Sequence, residues 1–511
     1  MNIVFDKGTL KVVSLLDSDP IKSTEESVLQ KMFPKDFRRF GIWHVNKIIN
    51  YIPVYLKVKL DVDGLPESLY FKGKEIYRCT EEEKKQRCKK STKDLAISKN
   101  GIVLGKELSE FLITSPYTKK QTADDLMNGL VPYQVPIPVT WRGFFKVATG
   151  YASICRNVVL RLHNYGIFAK PEHFPSHSEI DPMYLNYLSK YESLRFSRHN
   201  RQHIKILAHT PLPDSFVGRK IIYTMMETET LHPNFVNMCN QYNEVWVPCR
   251  HNHSLFINNG VRVPVYVIPL GVDEKFYFEN NDEKVNVQGG LSPLLGSGLK
   301  KFKFVSIAQW HGRKCPYILI KSFVKAFGSK DDVCLIVVCH NADGAHIFNE
   351  VKNYAKSIRG SDYPSIFLYG QIPTDRQLPF VYKFCDAFVS TSRGEGFSLP
   401  PVEAAACGLP VISSYNTSML DYLNEDNAYI VRNTKREVAP PDLIAMCGWY
   451  GGQLLNKLGD EEVDKFSIHM KSVVNNYGEA LNRAKKLQKL VKSNYTWDMT
   501  ASMVARRIRE G

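Results

Sequence analysis

Two glutamates, Glu395 and Glu403, bracket the stretch of the chain whose residue types most clearly carry chemistry. Before it, a strand-like apolar run leads into a loop with glycine, and Pro400 and Pro401 suit the first turn of a helix. Gly408 suits the left-handed residue that ends a short helix. Free N–H groups at a helix N-terminus attract phosphate, and carboxylates accept hydrogen bonds from sugar hydroxyls. The pattern therefore indicates a loop that suits a nucleotide sugar.

The segment EGFSLPPVEAAACGLPV resembles the signature of the retaining family 4 glycosyltransferases, which have the GT-B fold. The resemblance implies that Glu395 contacts the sugar of a nucleotide-sugar donor and that Glu403 holds the ribose hydroxyls. It also implies that the donor is approached by the backbone amides of Gly396, Phe397, Ser398 and Leu399. The alternative is an ordinary α/β loop with two surface glutamates, which the run GFSLPPVEA makes the weaker interpretation.

A second segment, FVSIAQWHGRKCP, resembles the loop that brings basic residues onto the donor diphosphate in this family. A leaving nucleoside diphosphate gains negative charge as the glycosidic bond breaks, so a preorganised cation lowers the barrier. Lys314 is the closer match to the family pattern. Arg313 departs from it, because Gln309 stands where the family usually has an earlier arginine. Two solvated surface cations are the alternative for Arg313 and Lys314.

Three further candidates lie earlier in the chain. His209 follows a predicted strand end, where the family often has a histidine close to the donor sugar and the acceptor. A histidine held by a backbone carbonyl is the equal alternative. Glu227, in YTMMETE, matches a recurrent acidic position and is the acceptor-side candidate, with a polar helix terminus as the alternative. Gly143 lies in the first strand-to-helix loop, where the family brings backbone close to the donor, although turn geometry also explains a glycine there.

Alternating strands and helices must position these residues. Short apolar runs such as KFKFVSIA, VCLIVVCH and CDAFVSTS suit strands that are buried on both faces of a parallel sheet. Between the first two, Leu319, Phe323 and Phe327 recur at helical spacing, which predicts a helix that covers the sheet. A second set of strands includes VPIPVTW, IKILAHT and NEVWVP. Two such sets predict two doubly wound domains, and ligands favour the interface between such domains.

The predicted fold class is therefore α/β, and the resemblance implies GT-B, with two Rossmann-like doubly wound domains that face a cleft. An N-terminal extension at 1–134 has no motif, and it either adds strands to the next domain or forms an accessory domain. The acceptor-side domain is expected at 135–273 and the donor-binding domain at 274–511. A polar, glycine-rich insertion is expected near 280–300, and YTWDMTASMVARRI resembles the helix that closes the family's fold.

The composition is typical of a globular protein. With 511 residues, of which 44% are hydrophobic and 23% charged, the chain is expected to form two or three domains. No apolar run reaches the roughly 20 residues of a membrane span, and no secretory signal is evident. The 11 scattered cysteines lack zinc-type spacing and favour a reducing, cytoplasmic setting. The net charge of +15 comes without a nucleic-acid-binding motif, so no nucleic acid partner is expected, and peripheral attachment to an anionic membrane stays an alternative.

The resemblance implies a glycosyltransferase that moves a sugar from a nucleoside-diphosphate sugar to a glycan, lipid or protein acceptor and keeps the anomeric configuration. No cofactor and no metal are expected, because protein cations and helix N-termini serve the diphosphate. The acidic pairs Asp17/Asp19 and Asp61/Asp63 lack the context of a metal site and are interpreted as turn residues.

Two other classes of protein stay open at this point. One is a non-catalytic nucleotide-sugar-binding or scaffold protein, against which the presence of Glu395, Glu403 and Lys314 argues. The other is a nucleotide-sugar epimerase of the same fold, which needs no acceptor. The donor base and the donor sugar do not follow from this motif, because UDP, GDP and ADP donors share it.

Overall fold

The structure, a computed structural model, describes most of the chain from residue 137 onward and the backbone of seven short strands before it. The described residues are 137–147, 149–165, 167, 169–174, 192, 203–278, 299–339, 344–370 and 377–510, together with those strands. The chain divides into two compact units, Met1–Pro138 with Leu162–Ala169 and Val139–Arg161 with Lys170–Gly511. The predicted insertion near 280–300 lies outside the described residues except at its last two positions.

The strands of the first unit form sheets of their own. They are β1 (Asn2–Asp6), β2 (Thr9–Val13), β3 (Leu56–Leu60), β4 (Pro66–Phe71), β5 (Lys74–Arg78), β6 (Leu95–Ser98) and β7 (Gly101–Leu104). A four-stranded antiparallel sheet has the order β1-β2-β7-β6, and a three-stranded one has the order β3-β4-β5. The described strands before residue 105 therefore pair with one another in these two sheets.

A six-stranded sheet, here called the first sheet, lies early in the second unit. Its strands are β8 (Val139–Gly143), β9 (Ala169–His173), β10 (Ile204–Ala208), β11 (Arg219–Tyr223), β12 (Glu244–Val247) and β13 (Val265–Val267). The order is β13-β12-β11-β10-β8-β9, and the pairs with recorded register are parallel. The strand predicted in VPIPVTW begins only at Val139, because Pro138 has no N–H for the ladder. The order reverses between β8 and β10, so their carboxyl ends form a topological switch point.

Helices and aromatic packing support the first sheet. The helices are α1 (Gly150–Leu162), α2 (Pro233–Cys239), α3 (Arg250–Asn258) and α4 (Glu274–Tyr277), with a 3₁₀ turn at His163–Tyr165. Strand residues Trp141, Ile206, Ile222 and Val245 are fully buried. This continuous burial is what a parallel sheet covered on both faces requires.

The second sheet repeats the same plan. Its strands are β14 (Phe302–Ile307), β15 (Val333–Val338), β16 (Ser365–Tyr369), β17 (Ala387–Ser390), β18 (Val411–Tyr415) and β19 (Tyr429–Arg432). The order is β16-β15-β14-β17-β18-β19, and all neighbouring pairs are parallel. The order reverses between β14 and β17, which gives this sheet its own switch point. The two parallel sheets confirm the predicted doubly wound α/β class.

Helices follow the strands of the second sheet as the sequence predicts. They are α5 (Pro316–Ala326), α6 (Gly344–Arg359), α7 (Leu378–Phe384), α8 (Leu399–Ala406), α9 (Pro441–Met446), α10 (Asp460–Asn475), α11 (Tyr477–Asn494) and α12 (Trp497–Glu510), with 3₁₀ turns at Thr417–Asp421 and Gly448–Tyr450. Leu319, Phe323 and Phe327 are buried in one core cluster with Phe304 and Leu335, which confirms the predicted sheet-covering face of α5. Among the described helices, none is long and apolar enough to cross a membrane.

A short segment at 433–456, here called the insert, separates β19 from α10. It contains β20 (Arg436–Val438), α9, the 3₁₀ turn and β21 (Leu454–Asn456), and its two strands pair antiparallel. Ala439, Leu443, Tyr450 and Leu455 form a small hydrophobic cluster of their own. The insert is therefore a locally packed element and not an extended loop.

The final helix, α12, packs against the first sheet. The Arg507 guanidinium lies 3.7 Å from the Tyr266 ring centroid, and its Nη2 lies 3.1 Å from the Glu244 carboxylate. Beside this helix, Val272 and Thr496 form a parallel bridge, and a Cβ on Gly271 would overlap the backbone of Thr496. The chain passes between the regions of the first and second sheets near Val272 and near Thr496, and these two segments therefore lie side by side. Because they are so close, only glycine fits at position 271.

Candidate functional site

The loops after β14 and β17 meet at the switch point of the second sheet. The Arg393 N–H donates to the Arg313 carbonyl at 2.8 Å, and the Thr391 hydroxyl donates to the Lys314 carbonyl at 3.1 Å. Ligands of open parallel sheets bind where the strand order reverses, outside the carboxyl ends of the strands. The sequence-predicted residues Glu395 and Lys314 both lie on these two loops.

Four predicted site residues form one charged cluster there. Arg313 Nη1 donates to Glu395 Oε2 at 2.9 Å, and Lys314 Nζ forms an ion pair with Glu395 Oε1. On its other side, Arg313 Nη2 lies 3.5 Å from Glu227 Oε1, which follows β11 of the first sheet. Glu395 is only 4% exposed and Arg313 only 7%. The structure thus brings together Glu395, Arg313, Lys314 and Glu227, although Glu227 is more than 80 positions away from the others in sequence.

Burial and charge act in opposite directions on this cluster. Burial would raise the pKa of Glu395, but Lys314 and Arg313 outweigh it and lower that pKa to about 2. For Arg313, the Glu227 and Glu395 carboxylates overcome burial and raise the pKa above its usual value. Burial lowers the pKa of Lys314, and Glu395 opposes that shift. Glu395 is therefore a carboxylate at neutral pH, with its charge already balanced by protein cations.

Arg313, which departs from the family pattern for a diphosphate-binding arginine, is already engaged by other groups of the protein. Arg313 is held between two carboxylates and also donates to the Gly394 carbonyl at 2.6 Å. Two cations and two carboxylates sum to zero charge, so an incoming diphosphate must share cations that Glu395 and Glu227 now occupy. Arg313 links the two sheets as much as it offers charge to a ligand.

Strained backbone surrounds the cluster. In the part of the chain that the structure describes, the residues other than glycine with left-handed backbone are Cys315, Ser398 and Thr417, with φ of 49°, 69° and 45°. Each follows one of the adjacent strands β14, β17 and β18. Such conformations cost on the order of 1–3 kcal/mol and tend to concentrate at functional sites. Thr417 has a clear task, because its Oγ1 accepts the Glu395 N–H at 2.8 Å.

Helix α8 begins directly after the charged loop. Pro400 and Pro401 lie in its first turn, and Gly408 follows its end with φ of 81°, so the predicted start and stop signals are confirmed. The Ser398 side chain makes no capping hydrogen bond. Among the described residues, none accepts a hydrogen bond from the backbone N–H of Gly396, Phe397 or Ser398. These N–H groups are suited to an anionic ligand.

The predicted Glu403 lies inside α8 and has a fixed orientation. The buried Tyr382 hydroxyl donates to Glu403 Oε2 at 2.8 Å. Burial, together with the Glu403 carboxylate, raises the pKa of Tyr382 well above its usual value, so this hydroxyl stays a donor. Tyr382 was not found from the sequence, since it lies in a short helix without any recognisable motif.

Packing explains two glycines and one phenylalanine of the loop. A Cβ on Gly394 would overlap the carbonyl oxygen of Glu227, and one on Gly396 would lie 2.5 Å from Met225 Cγ. Phe397 is 2% exposed and contacts the rings of Tyr422 and Tyr495. The loop therefore lies directly against the first-sheet segment that carries Glu227. The donor-binding roles predicted for Gly396 and Phe397 stay predictions, because packing alone accounts for both residue types.

Gly143 and His209 lie together at the switch point of the first sheet. Gly143 ends β8 and pairs with Ala208, the last residue of β10. A Cβ on Gly143 would lie 2.6 Å from Cys155 Sγ and 3.1 Å from the Ala208 carbonyl oxygen. Strand and helix packing thus requires the glycine, and its predicted contact with the donor stays a prediction.

The His209 ring belongs to an aromatic group. Its Nδ1 contacts the Thr210 hydroxyl at 3.0 Å, and its ring lies 5.1 to 5.9 Å from the rings of Phe144, Tyr151 and Phe174. Burial lowers the pKa of His209, which is half-buried, so the ring is neutral at neutral pH. A neutral imidazole among aromatic rings is suited to contact a polar ligand that also has an apolar face. The predicted position at a strand end is confirmed, and the catalytic role stays a prediction.

The insert supplies contacts to the site that the sequence did not reveal. The Tyr450 hydroxyl donates to Glu227 Oε2 at 2.8 Å, so this buried side chain holds the carboxylate that faces Arg313. The Gly312 N–H donates to Asp442 Oδ2 at 3.2 Å in front of the basic loop. The aromatic and glycine-rich run GWYGG is the one local feature that could have indicated a tight element after the last strand.

The insert also contacts the first sheet through its backbone. The Glu229 N–H donates to the Leu454 carbonyl at 2.8 Å, and the Leu454 N–H donates to Thr230 Oγ1 at 3.2 Å. Trp449 lies edge-on to Phe235 of α2, with the ring centroids 5.3 Å apart. The insert is therefore a second connection between the two parts of the site, beside the Arg313–Glu227 pair.

Two protein-family models match parts of the chain that contain the second sheet. Residues 295–439 match a family model described as glycosyl transferases group 1. Residues 381–504 match a model described as family 4 glycosyltransferase in conflict systems. Both matches contain the Glu395–Glu403 loop. The region 295–504 thus matches two glycosyltransferase family models, in agreement with the resemblance carried by the EGFSLPPVEA motif.

Solved structures agree on the fold. Anabaena HepE, in complex with UDP and glucose, gives a TM-score of 0.53 at 12% identity, over 73% of this chain and 100% of that one. Sucrose-phosphate synthase from Thermosynechococcus elongatus gives 0.52 at 14% identity, over 73% and 98%. A glycosyltransferase from Rickettsia africae gives 0.53 at 11% identity, over 73% and 98%. The fold is GT-B.

One curated relative shares a short segment with this chain. O-antigen chain mannosyltransferase B of Escherichia coli is 39% identical over 67 residues. These residues make up 13% of this chain and 17% of that protein, so the chain matches about a sixth of the relative's length.

Proposed function

We propose that the protein transfers a sugar from a nucleoside-diphosphate sugar to an acceptor hydroxyl and keeps the anomeric configuration. The observation that carries the proposal is the buried cluster of Glu395, Arg313 and Lys314 at the switch point of the second sheet. Buried charged groups with shifted pKa values tend to concentrate at functional sites. The UDP that Anabaena HepE binds supports a nucleoside diphosphate as the ligand.

The donor would be bound by three kinds of groups. Lys314 and Arg313 attract the diphosphate, and the unpaired N–H groups of Gly396 to Ser398 at the start of α8 donate to its oxygens. Glu403, oriented by Tyr382, accepts hydrogen bonds from the ribose hydroxyls. Glu395 accepts hydrogen bonds from hydroxyls of the donor sugar. This arrangement holds the donor by both ends, and the bond between the sugar and the phosphate lies between them.

We propose that retention arises from front-face attack, in which both bond changes occur on one face of the sugar. The bond between the anomeric carbon and the phosphate oxygen breaks, and its electron pair leaves with the nucleoside diphosphate. The acceptor oxygen bonds to the same carbon from the same face, and its proton passes to the departing phosphate oxygen. Lys314 stabilises the charge that builds up on the phosphate, an effect worth on the order of 3 kcal/mol when one preorganised donor is removed.

We further propose that this transfer does not require a metal ion. The two protein cations and the N-terminus of α8 provide the positive charge that the diphosphate needs. Activity that persists in excess chelator is the expected result. Complete loss of activity in chelator, with recovery on addition of a divalent cation, would overturn this part of the proposal.

The acceptor would approach from the first sheet. His209 and the rings of Phe144, Tyr151 and Phe174 form the polar and aromatic surface at that edge. Glu227, which belongs to the charged cluster, follows β11 of the same sheet. A glycan, a lipid or a protein acceptor is compatible with this surface. We propose a cytoplasmic location, with peripheral attachment to an anionic membrane as the variant that flotation with acidic liposomes tests.

The first test is a thermal-shift and hydrolysis panel of UDP-, GDP-, ADP- and dTDP-sugars with the wild type and Glu403→Ala. Stabilisation by one nucleotide class that is reduced in the variant identifies the donor base, because Glu403 is assigned to the ribose. Slow release of free sugar with retained configuration supports transfer, whereas interconversion of two nucleotide sugars would indicate an epimerase. Binding without any turnover, with acceptors supplied, would indicate a non-catalytic binder.

A further inference from the structure

The basic loop contains a histidine whose hydrogen-bonding groups are unused. Both ring nitrogens of His311 are buried, and neither has a hydrogen-bond partner among the residues that the structure describes. Arg313 Nε, two positions further on, is likewise buried and unpartnered. Buried polar groups nearly always have partners, because an unmade hydrogen bond costs stability. Two such groups in one loop indicate that a ligand satisfies them.

The backbone fixes His311 beside the charged cluster. The Lys314 N–H donates to the His311 carbonyl at 3.0 Å, which closes a tight turn over these four residues. Within this turn, the Arg313 guanidinium is engaged by Glu227 and Glu395, and the Lys314 ammonium is engaged by Glu395. Of the polar side chains in this turn, His311 is therefore the one whose hydrogen-bonding atoms are not already engaged by other described residues.

The chemical state of the ring follows from its surroundings. Burial, reinforced by Arg313 and Lys314, lowers the pKa of His311 to about 3, although Glu395 and Asp442 act in the opposite direction. The ring is therefore neutral at neutral pH, with one N–H donor and one acceptor nitrogen. A neutral donor adds a hydrogen bond to a phosphate oxygen without adding charge to a cluster that is already balanced.

We propose that His311 is a donor-binding residue, which donates one ring N–H to a diphosphate oxygen of the nucleotide sugar next to Lys314. This inference rests on the proposed function and adds a residue that neither the family motif nor the charged pairs indicate. It also explains why the two ring nitrogens of His311 have no partner within the described part of the protein, because a bound ligand would accept the hydrogen bond.

The decisive variant is His311→Leu, which removes the polar atoms but keeps a side chain of similar size. Unfolding of the free protein and binding of UDP, GDP, ADP and dTDP are measured side by side by thermal shift and titration calorimetry. We expect the melting temperature of the free variant to equal or exceed that of the wild type. We expect its affinity for the preferred diphosphate to fall roughly 10-fold to 100-fold, the range of a lost hydrogen bond to a charged group.

Two further variants separate ligand contact from general damage. His311→Gln keeps a donor and an acceptor, and we expect it to bind the diphosphate several-fold better than His311→Leu. The matched control is His469→Leu, which removes a half-buried histidine whose Nε2 contacts the Ile430 carbonyl at 3.1 Å, away from the site. This control is expected to melt lower and to bind like the wild type.

The outcomes are distinguishable. A His311→Leu protein that binds the diphosphate within twofold of the wild type overturns the assignment while leaving the proposed function intact. If His311→Leu does not fold, His311→Gln and His311→Ala decide in the same way, because loss of affinity in Ala alone supports the contact. A wild type that binds no nucleoside diphosphate and no nucleotide sugar overturns the proposed function, and the assignment with it.

Discussion

The switch points of the two sheets hold their site residues in different ways. At the second sheet, Glu395 is fixed by two cations and by the strained Thr417, and its surroundings are almost fully buried. At the first sheet, His209 is half-buried, rests among aromatic rings and has no ion pair with any residue that the structure describes. Charge and backbone conformation fix the site residues at the second sheet, here called the charged edge. Side-chain packing fixes them at the first sheet, here called the other edge.

This difference fits two different tasks. A group that stabilises charge in a transition state must be oriented before the reaction, and buried ion pairs with strained backbone provide that orientation. A surface that receives an acceptor needs shape and a few polar atoms, which half-exposed aromatic rings provide. Under the proposed function, the second sheet would carry the bond-breaking chemistry and the first sheet would receive the acceptor.

The largest expected effect tests the charged edge. Glu395→Gln keeps the shape of the side chain but removes its charge, and Lys314→Ala removes the cation, so each is expected to lower turnover roughly 100-fold or more. His209→Gln, at the other edge, is expected to cost less than either. The measurement is the initial rate of sugar transfer or donor hydrolysis. Near-normal rates in both charged-edge variants, or an equal loss in His209→Gln, would remove the contrast between the edges.

A folded control is needed for that comparison. Glu425→Gln changes an exposed carboxylate that pairs with Arg432 at 3.2 Å on the surface. Exposed pairs of this kind contribute little, so its rate and its stability are expected to match those of the wild type. A rate loss in this control would mean that any change of charge impairs the enzyme.

The next effect concerns the close contact between the loop and the first sheet. In Gly394→Ala the new methyl group overlaps a backbone carbonyl, that of Glu227, which cannot move without disturbing the ion pair to Arg313. We expect a loss of roughly 1–3 kcal/mol in the free energy of unfolding. Gly143→Ala meets mainly the Cys155 side chain, which can rotate, and is expected to lose less. Chemical denaturation measures both, and the reverse ranking would contradict this account.

The smallest effect is a difference in acid sensitivity. The unfolded His311 takes up a proton below its usual pKa of 6.5, whereas the folded residue stays neutral until the pH is near its pKa of about 3. Protons therefore bind the unfolded state first. Acidification from pH 7.5 to 5 is expected to lower the free energy of unfolding by roughly 1–2 kcal/mol through this residue. In His311→Gln this part of the loss is absent, and equal pH dependence in the two proteins would refute the lowered pKa of the folded His311.

Local sequence signals predicted the charged edge well. Pro400, Pro401 and Gly408 specify the start and end of α8 by their own backbone preferences, so this helix and its loop could be located without any tertiary information. The buried runs of the second sheet were equally clear, because burial on both faces leaves a continuous apolar string. The resemblance to the family 4 glycosyltransferases rests on the same short segment.

Long-range contacts could not be predicted in this way. The partners of Arg313 come from different sheets, and no local pattern shows that Glu227 reaches it. The insert was missed because its strands have three residues each and no periodicity. Tyr382 and Tyr450 orient the key carboxylates, but a buried tyrosine in the sequence looks like any other core residue. Which residues position the site carboxylates depends on tertiary contacts, so these residues cannot be identified from the sequence alone.

The contact between the insert and the first sheet can also be followed by amide hydrogen exchange. The Glu229 amide hydrogen lies in a bond to the Leu454 carbonyl and is protected from solvent exchange only while those two segments touch. Its exchange rate therefore counts how often the two parts of the site separate under native conditions. A donor that binds across both parts is expected to slow the exchange of this amide hydrogen. Its exchange rate in the free protein therefore reports how often the site opens.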